Sequence, residues 1–337
     1  MTKFDVRVEV TRGQWVESSH RVHVAVLAAD GVVRGRAGDP ETLGFARSSV
    51  KPIQALPLVD DGVVSAFGVT EEELALCCAS HNAEPRHVEL ATSILRKAGL
   101  DESALACGPH PPYYEPAAKA LMAEGQEPGR IHNNCSGKHA GMLALARHHG
   151  WPTDGYHRPD HPVQRRMLEE VTRWTGTEPA AVRMATDGCG VVTFGVPLRG
   201  LALAFARLAQ AAAARPQSAP GRIVAAMTGH PFAVAGTGRL CTELMRVAEG
   251  RLVAKTGAEG VYAVGVPSAG LGVALKVEDG AKRASEPALL AVLGELDILS
   301  TPELEALRTF AMPVVRNTRD EDVGTIRARI MRVEDNV

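Results

Sequence analysis

Aromatic residues are scarce, 4% of 337, and neither sign of charge prevails: 37 Lys and Arg stand against 39 Asp and Glu, for a net charge of −2. A nucleic-acid binder needs a basic field and often aromatic stacking surfaces, so the composition points away from that class. No apolar run approaches the roughly 18 residues of a membrane span. The opening MTKFDVRVEV has no apolar core of a secretory signal. Six cysteines are too few for a disulfide framework in a chain this long. They read as reduced thiols, and the chain as a cytoplasmic protein without a membrane span.

What is present suits a large globular core: 45% of residues are hydrophobic and 23% charged. Val6, Val8 and Val10 alternate with charged residues, and Val22, Val24 and Val26 repeat that spacing. With Asp30-Gly31 as a turn, residues 5–36 read as a meander of strands. Thr70-Glu71-Glu72-Glu73 is a capping box for a helix over 71–78. Pro85 opens a helix to Gly99. Residues 107–116 hold four prolines, which exclude a central strand and argue for an ordered loop or lid. Helices are expected to His149, over 161–174, over 197–213, at 220–228 and 239–248, and near 286–297 and 302–310. Apolar runs at 191–196, 261–266 and 271–277 read as strands, with a last strand around 325–332. Strands at both ends with helices between predict an α/β fold of α+β type, a largely antiparallel sheet packed by helices. No linker and no internal repeat divides the chain, so residues 1–337 read as a single catalytic unit, of one lobe or of two with the site between them.

The chemistry begins at Arg47-Ser48-Ser49-Val50-Lys51-Pro52. Residues at i and i+3 share a helix face, so Ser48 and Lys51 can meet there. Pro52 is tolerated only in a first turn, which places the helix start at Ser48 or Ser49. Backbone N–H groups there would stabilise an oxyanion. A serine hydroxyl needs an adjacent base, and a lysine serves only when neutral, through burial or a second nearby cation. The motif therefore calls for a partner cation. Chance alone supplies roughly one Ser-x-x-Lys spacing in a chain of this length, so the pair carries little by itself.

Two further pieces follow in chain order, Ser80-His81-Asn82 and Lys255-Thr256-Gly257. The order Ser-x-x-Lys, Ser-x-Asn, Lys-Thr-Gly resembles that of serine β-lactamases and penicillin-binding proteins. On this reading Lys255 keeps Lys51 neutral and Ser80 relays protons between them.

The segment His132-Asn-Asn-Cys-Ser-Gly-Lys-His-Ala-Gly-Met142, the turn Thr186-Asp-Gly-Cys-Gly190, and the stretches 47–52 and 78–82 resemble the Rhizobium-type (class 3) L-asparaginases, the asparaginase II family. The resemblance implies hydrolysis of L-asparagine to L-aspartate and ammonia, a β-lactamase-like fold and a homodimer. It implies Ser48 with Lys51 and Ser80 with Lys255 as two Ser-Lys pairs, and a zinc site at Cys135, Lys138 and Cys189. Two cysteines fall short of ordinary zinc coordination, and a lysine ligand must lose its proton, so buried free thiols are the plain alternative. A zinc ion there would hold two loops together rather than attack the substrate. Asp187 suits a substrate ammonium or a simple Asx turn. Arg47 and His139 suit a substrate carboxylate or a solvated surface. Ser80 as the nucleophile, glutamine as the substrate, a penicillin-type hydrolase, and a non-catalytic zinc- or amino-acid-binding relative remain as alternatives.

Overall fold

A computed structural model describes residues 1–333. The strands are β1 (Thr2–Arg12), β2 (Trp15–Ala28), β3 (Val33–Ala37), β4 (Leu43–Phe45), β5 (Arg183–Thr186), β6 (Val192–Pro197), β7 (Val253–Gly257), β8 (Val261–Val266), β9 (Leu271–Val277), β10 (Val314–Arg316) and β11 (Asp322–Arg332). Eight of them form one sheet in the order β10-β11-β1-β3-β2-β9-β8-β7, with β1 also pairing β2. Every pairing in it is antiparallel except β1 with β3. The expected α/β architecture, a largely antiparallel sheet packed by helices, is the one observed.

The alternation read in the sequence sets this sheet. Phe4, Val6, Val8 and Val10 are buried along β1, and Val22, Val24 and Val26 along β2. The Asp30-Gly31 turn joins β2 to β3, with Gly31 at φ +89, a conformation open to glycine at little cost. The C-terminal β11 closes against β1 in register Val8↔Ala328. The helix Leu198–Ala214 packs on β9, β8 and β2, and the helix Lys282–Glu295 on β11, β1 and β9.

Three short strands make a second sheet, β4-β6-β5. Both outer strands run antiparallel to β6, so they run parallel to each other. They therefore deliver their following residues, Arg47 after β4 and Asp187 after β5, to the same edge. Neither β4 nor β5 was expected from the sequence. The single helix expected from Ser48 is replaced by a 3-10 turn, Arg47–Val50, and short helices Lys51–Gln54, Leu56–Asp60 and Val63–Phe67. Pro57 and the left-handed Gly62 account for the breaks. Among the described residues no helix is long and apolar enough to cross a membrane.

Candidate active site

Four segments converge beside the small sheet. The first carries Ser48. Arg47 stands at φ +49, unusual for a side chain of its size, and is held there from both sides. The Ala46 N–H donates to Phe194 O at 2.9 Å, and Arg47 Nε donates to Asp187 Oδ1 at 2.8 Å. The two serines part company in this turn. Ser49 Oγ donates to Ala46 O at 2.6 Å and is fully buried. Ser48 is half-buried and its hydroxyl makes no hydrogen bond among the described residues.

The second segment follows the helix Glu71–Cys77, whose capping box forms as read. Backbone hydrogen bonds from Ser80 to Val234 O, from His81 to Asn134 O and from Asn82 to Ala235 O pin it on two sides. Ser80 Oγ then lies 3.0 Å from Lys51 Nζ and 2.9 Å from Lys255 Nζ. Lys51 also donates to Ala79 O at 2.5 Å and to Cys135 Sγ at 3.1 Å. Three acceptors match the three N–H bonds of an ammonium.

Lys255 comes from β7, the edge strand beside the Ser48 turn. A side chain at Gly257 would meet Ala46 O at 2.9 Å and Ser49 N at 3.3 Å. The glycine of Lys255-Thr256-Gly257 is what lets the strand approach. Lys255 is completely buried. Burial first, then the charge of Lys51, brings its pKa down to about 7. The sequence reading made Lys51 the neutral amine and Lys255 the supporting cation. In the structure the depressed pKa belongs to Lys255, with the charge of Lys51 second among its causes after burial.

The third and fourth segments are 132–142 and the 186–190 turn. The helix Ser136–His148 lies against the helix Glu71–Cys77 because Gly137 has no side chain to strike Leu76 O, 2.4 Å from where a Cβ would stand. Lys138 Nζ donates to Cys189 Sγ at 3.1 Å. The Cys135 thiol has two acceptors, Asn134 Oδ1 at 3.0 Å and the Cys189 sulfur. That thiol hydrogen bond, against burial and with Lys138 beside it, brings the Cys189 pKa down to about 4. Cys135 is pushed up to about 12, first by sharing its proton with Cys189. Lys138 is raised despite burial, chiefly by the Cys189 thiolate. Asp187 is lowered, the charges of Lys138 and Arg47 outweighing its burial.

The metal candidates Cys135, Lys138 and Cys189 are thus gathered around one thiolate. Among the described residues no group of three or more His, Cys, Asp and Glu stands together as a metal cluster. The donor set fits a soft cation as two sulfurs and an amine, provided the cation displaces the proton of Lys138.

His139 is buried and neutral, its pKa brought down to about 3 by burial and then by Lys138. Tyr156 Oη accepts from the Ala106 N–H at 3.0 Å and lies 2.5 Å from His139 Nδ1. With the hydroxyl donating to Nδ1, the ring proton sits on Nε2, which has no partner. A buried N–H without an acceptor is costly and suits a ligand oxygen.

All ten residues singled out from the sequence lie in these four segments and in β7. The structure joins Ser80 to Lys51 and Lys255, Arg47 to Asp187, and Lys138 to Cys189. It does not join Ser48 to Lys51 by a hydrogen bond. No motif points to Tyr156 or Arg239. Arg239 Nη1 donates to Asn82 Oδ1 at 2.8 Å and to Ser80 O at 3.5 Å. Tyr113 lies in the proline-rich stretch 107–116.

The L-asparaginase II family model matches residues 8–328. No curated protein matches the chain. A crystal structure of Mglu in its native form is 17% identical, with a TM-score of 0.47, covering 83% of this chain and 65% of that one. The chain thus spans about two thirds of the length of that structure. A β-lactamase structure from Mycobacterium bovis is 16% identical, with a TM-score of 0.37, covering 81% of this chain and 94% of that one. The match over nearly the whole length places this chain in the L-asparaginase II family, a family of amidohydrolases.

Proposed function

We propose that this member of the L-asparaginase II family hydrolyses L-asparagine to L-aspartate and ammonia through an acyl-enzyme. The observation that carries the reading is the Ser80 hydroxyl held between the Lys51 and Lys255 amines, beside an unbonded Ser48 hydroxyl. Neutral Lys255 takes the Ser80 proton, Ser80 takes one from Lys51, and the amine so freed takes the proton of Ser48. Ser48 Oγ attacks the side-chain amide carbon. Lys51 then protonates the departing ammonia, and water cleaves the β-aspartyl ester. Asp187 receives the α-ammonium, and Arg47 with the orphaned His139 N–H receives the α-carboxylate.

Cys135, Lys138 and Cys189 would hold a zinc ion, whose charge would replace that of Lys138 beside the sulfurs and tie the 132–142 segment to the 186–190 turn. Elemental analysis tests it: zinc should be lost in the doubly substituted Cys135→Ala, Cys189→Ala protein. A homodimer is part of the proposal and is read by light scattering.

The deciding experiment is ammonia release from L-asparagine and L-glutamine in parallel, with and without chelator. One methylene is worth only about 1–3 kcal/mol of discrimination, so a preference of about tenfold or more for asparagine is expected. Release from glutamine alone would make the protein a glutaminase, and silence on both would leave a binding role. The direct contact of Ser80 with both lysines favours one variation, Ser80 as nucleophile. Ser48→Ala should lower kcat at least about 1,000-fold; near-normal turnover in that variant would assign the attack to Ser80.

A further inference from the structure

Several arginines of this chain face carboxylates: Arg47 faces Asp187, Arg86 faces Glu72, and Arg166 faces Asp61 and Glu170. Arg239 makes no such ion pair among the described residues, and the buried Glu286 meets its charge only through space. Its two hydrogen bonds go to neutral oxygens, Asn82 Oδ1 and the Ser80 carbonyl, and both come from Nη1. That leaves Nε and Nη2 uncommitted. The carboxylate on the neighbouring loop, Glu84, is engaged by the Thr237 N–H and hydroxyl, each at 2.7 Å, and by Asn82 Nδ2. Asp187 is engaged by Arg47. Arg239 therefore adds a positive charge beside Lys255 that is met only through space by Glu286, and its free N–H groups are left for an anionic ligand.

The setting is built. The guanidinium lies over the ring of Tyr113, 5.8 Å from its centroid. The Tyr113 hydroxyl accepts from Asn134 Nδ2 at 3.0 Å. From Asn134 the hydrogen bonds run through Cys135 and Lys51 to Ser80 Oγ, and the Ser80 carbonyl returns to Arg239. Tyr113 is 54% exposed and Arg239 half-buried, so this pair forms the solvent-facing end of a ring that closes at Ser80.

We propose that Arg239, backed by the ring of Tyr113, is a specificity residue that takes the carboxylate of the substrate at the solvent-facing end of the site, in addition to Arg47 and His139. The proposal rests on the amidohydrolase reading. A guanidinium presents two parallel N–H groups to a carboxylate, which a lysine cannot reproduce.

The test compares L-asparagine with β-alaninamide, the same amide and amine without the carboxylate. The readout is the ratio of their kcat/KM values, which does not depend on the fraction of folded protein or on the protonation of Lys255, since both substrates use the same base. In Arg239→Gln the ratio should fall about 100-fold, mainly through KM for asparagine, and Arg239→Lys should recover part of it. An unchanged ratio, with both substrates slowed alike, would overturn the proposal and leave Arg239 a structural tie between Asn82 and Ser80. Calorimetry with L-aspartate separates the two hypotheses. If the wild-type protein releases no ammonia from any amide, the amidohydrolase reading fails. A loss of tenfold or more in aspartate affinity in Arg239→Gln would still support the carboxylate contact, and equal affinity would overturn it.

Discussion

Two buried lysines stand on opposite sides of this site, and their proton affinities move in opposite directions. Lys255 is fully buried against Ser80, whose hydroxyl lies between it and Lys51, and its pKa falls to about 7. Lys138 is almost as buried, 4% exposed, yet its pKa rises. Desolvation acts against the charge in both. The difference is the neighbour: a second ammonium for Lys255 and a thiolate for Lys138. One side of the site thereby holds an amine that titrates near neutrality, and the other a compensated ion pair. Burial alone assigns neither role.

The comparison breaks most visibly at Lys255. Replacing it by methionine removes the proton acceptor, and kcat should fall about 1,000-fold or more. The same change should stabilise the fold. The folded pKa of Lys255 lies near 7, and the unfolded value is about 10.4. Between those values the unfolded chain binds the extra proton, so native stability rises with pH across that window. At or below pH 7 the penalty is fully present, on the order of 4 kcal/mol for a shift of this size. Lys255→Met should therefore gain up to about that much against urea at pH 6, and the gain should shrink towards pH 10. A variant both inactive and less stable at pH 6 would mean that Lys255 is a charged structural residue.

The pH profile reads the same group without a mutation. Activity should rise through pH 7 as Lys255 loses its proton, with the acid limb of kcat/KM centred near there. A limb centred near pH 4 would report a carboxylate instead.

Lys138 should behave in the opposite way. In chelator-treated protein, Lys138→Met strands the Cys189 thiolate, and removing one partner of a buried pair costs about 3 kcal/mol. Urea midpoints of the Lys138 and Lys255 variants should thus move apart from wild type in opposite directions at pH 6. Two shifts of the same sign would mean that packing, not the neighbouring charge, dominates at both positions.

Much of this arrangement was legible because it is carried by short motifs with defined offsets. Ser80 and Lys255 lie 175 residues apart in the chain, yet Ser-His-Asn and Lys-Thr-Gly mark them, and both reach the same hydroxyl. The large sheet was legible through the alternation of Val6, Val8 and Val10. What local pattern does not encode is who meets whom. Arg47 and Asp187 were recognised as candidates, but their ion pair follows from β4 and β5, strands of three and four residues. These are too short for periodicity, and β5 is exposed throughout. Which lysine has the depressed pKa depended on the burial of Lys255 beside the Lys51 charge, which no local pattern encodes. Tyr156 and Arg239 sit in no motif, and only the fold brings them to His139 and Ser80.

The smallest expected effect tests whether the Lys255 strand and the Ser48 turn act as one unit. At Gly257 a methyl group would stand 2.9 Å from Ala46 O, 3.1 Å from Val261 Cβ and 3.3 Å from Ser49 N. Two of these neighbours are backbone atoms, which yield little. Overpacking of this kind costs about 1–3 kcal/mol. Gly257→Ala should push β7 away from the turn and displace Ser48 relative to Lys255. A fall of about tenfold in kcat is expected, since small misplacements of reacting groups are felt strongly. The acid limb of the pH profile should stay near 7, because Lys255 and its contact with Ser80 lie two residues earlier in the strand. A shifted limb with unchanged kcat would instead mean that Gly257 protects the environment of the lysine and leaves the position of Ser48 to the Arg47–Asp187 pair.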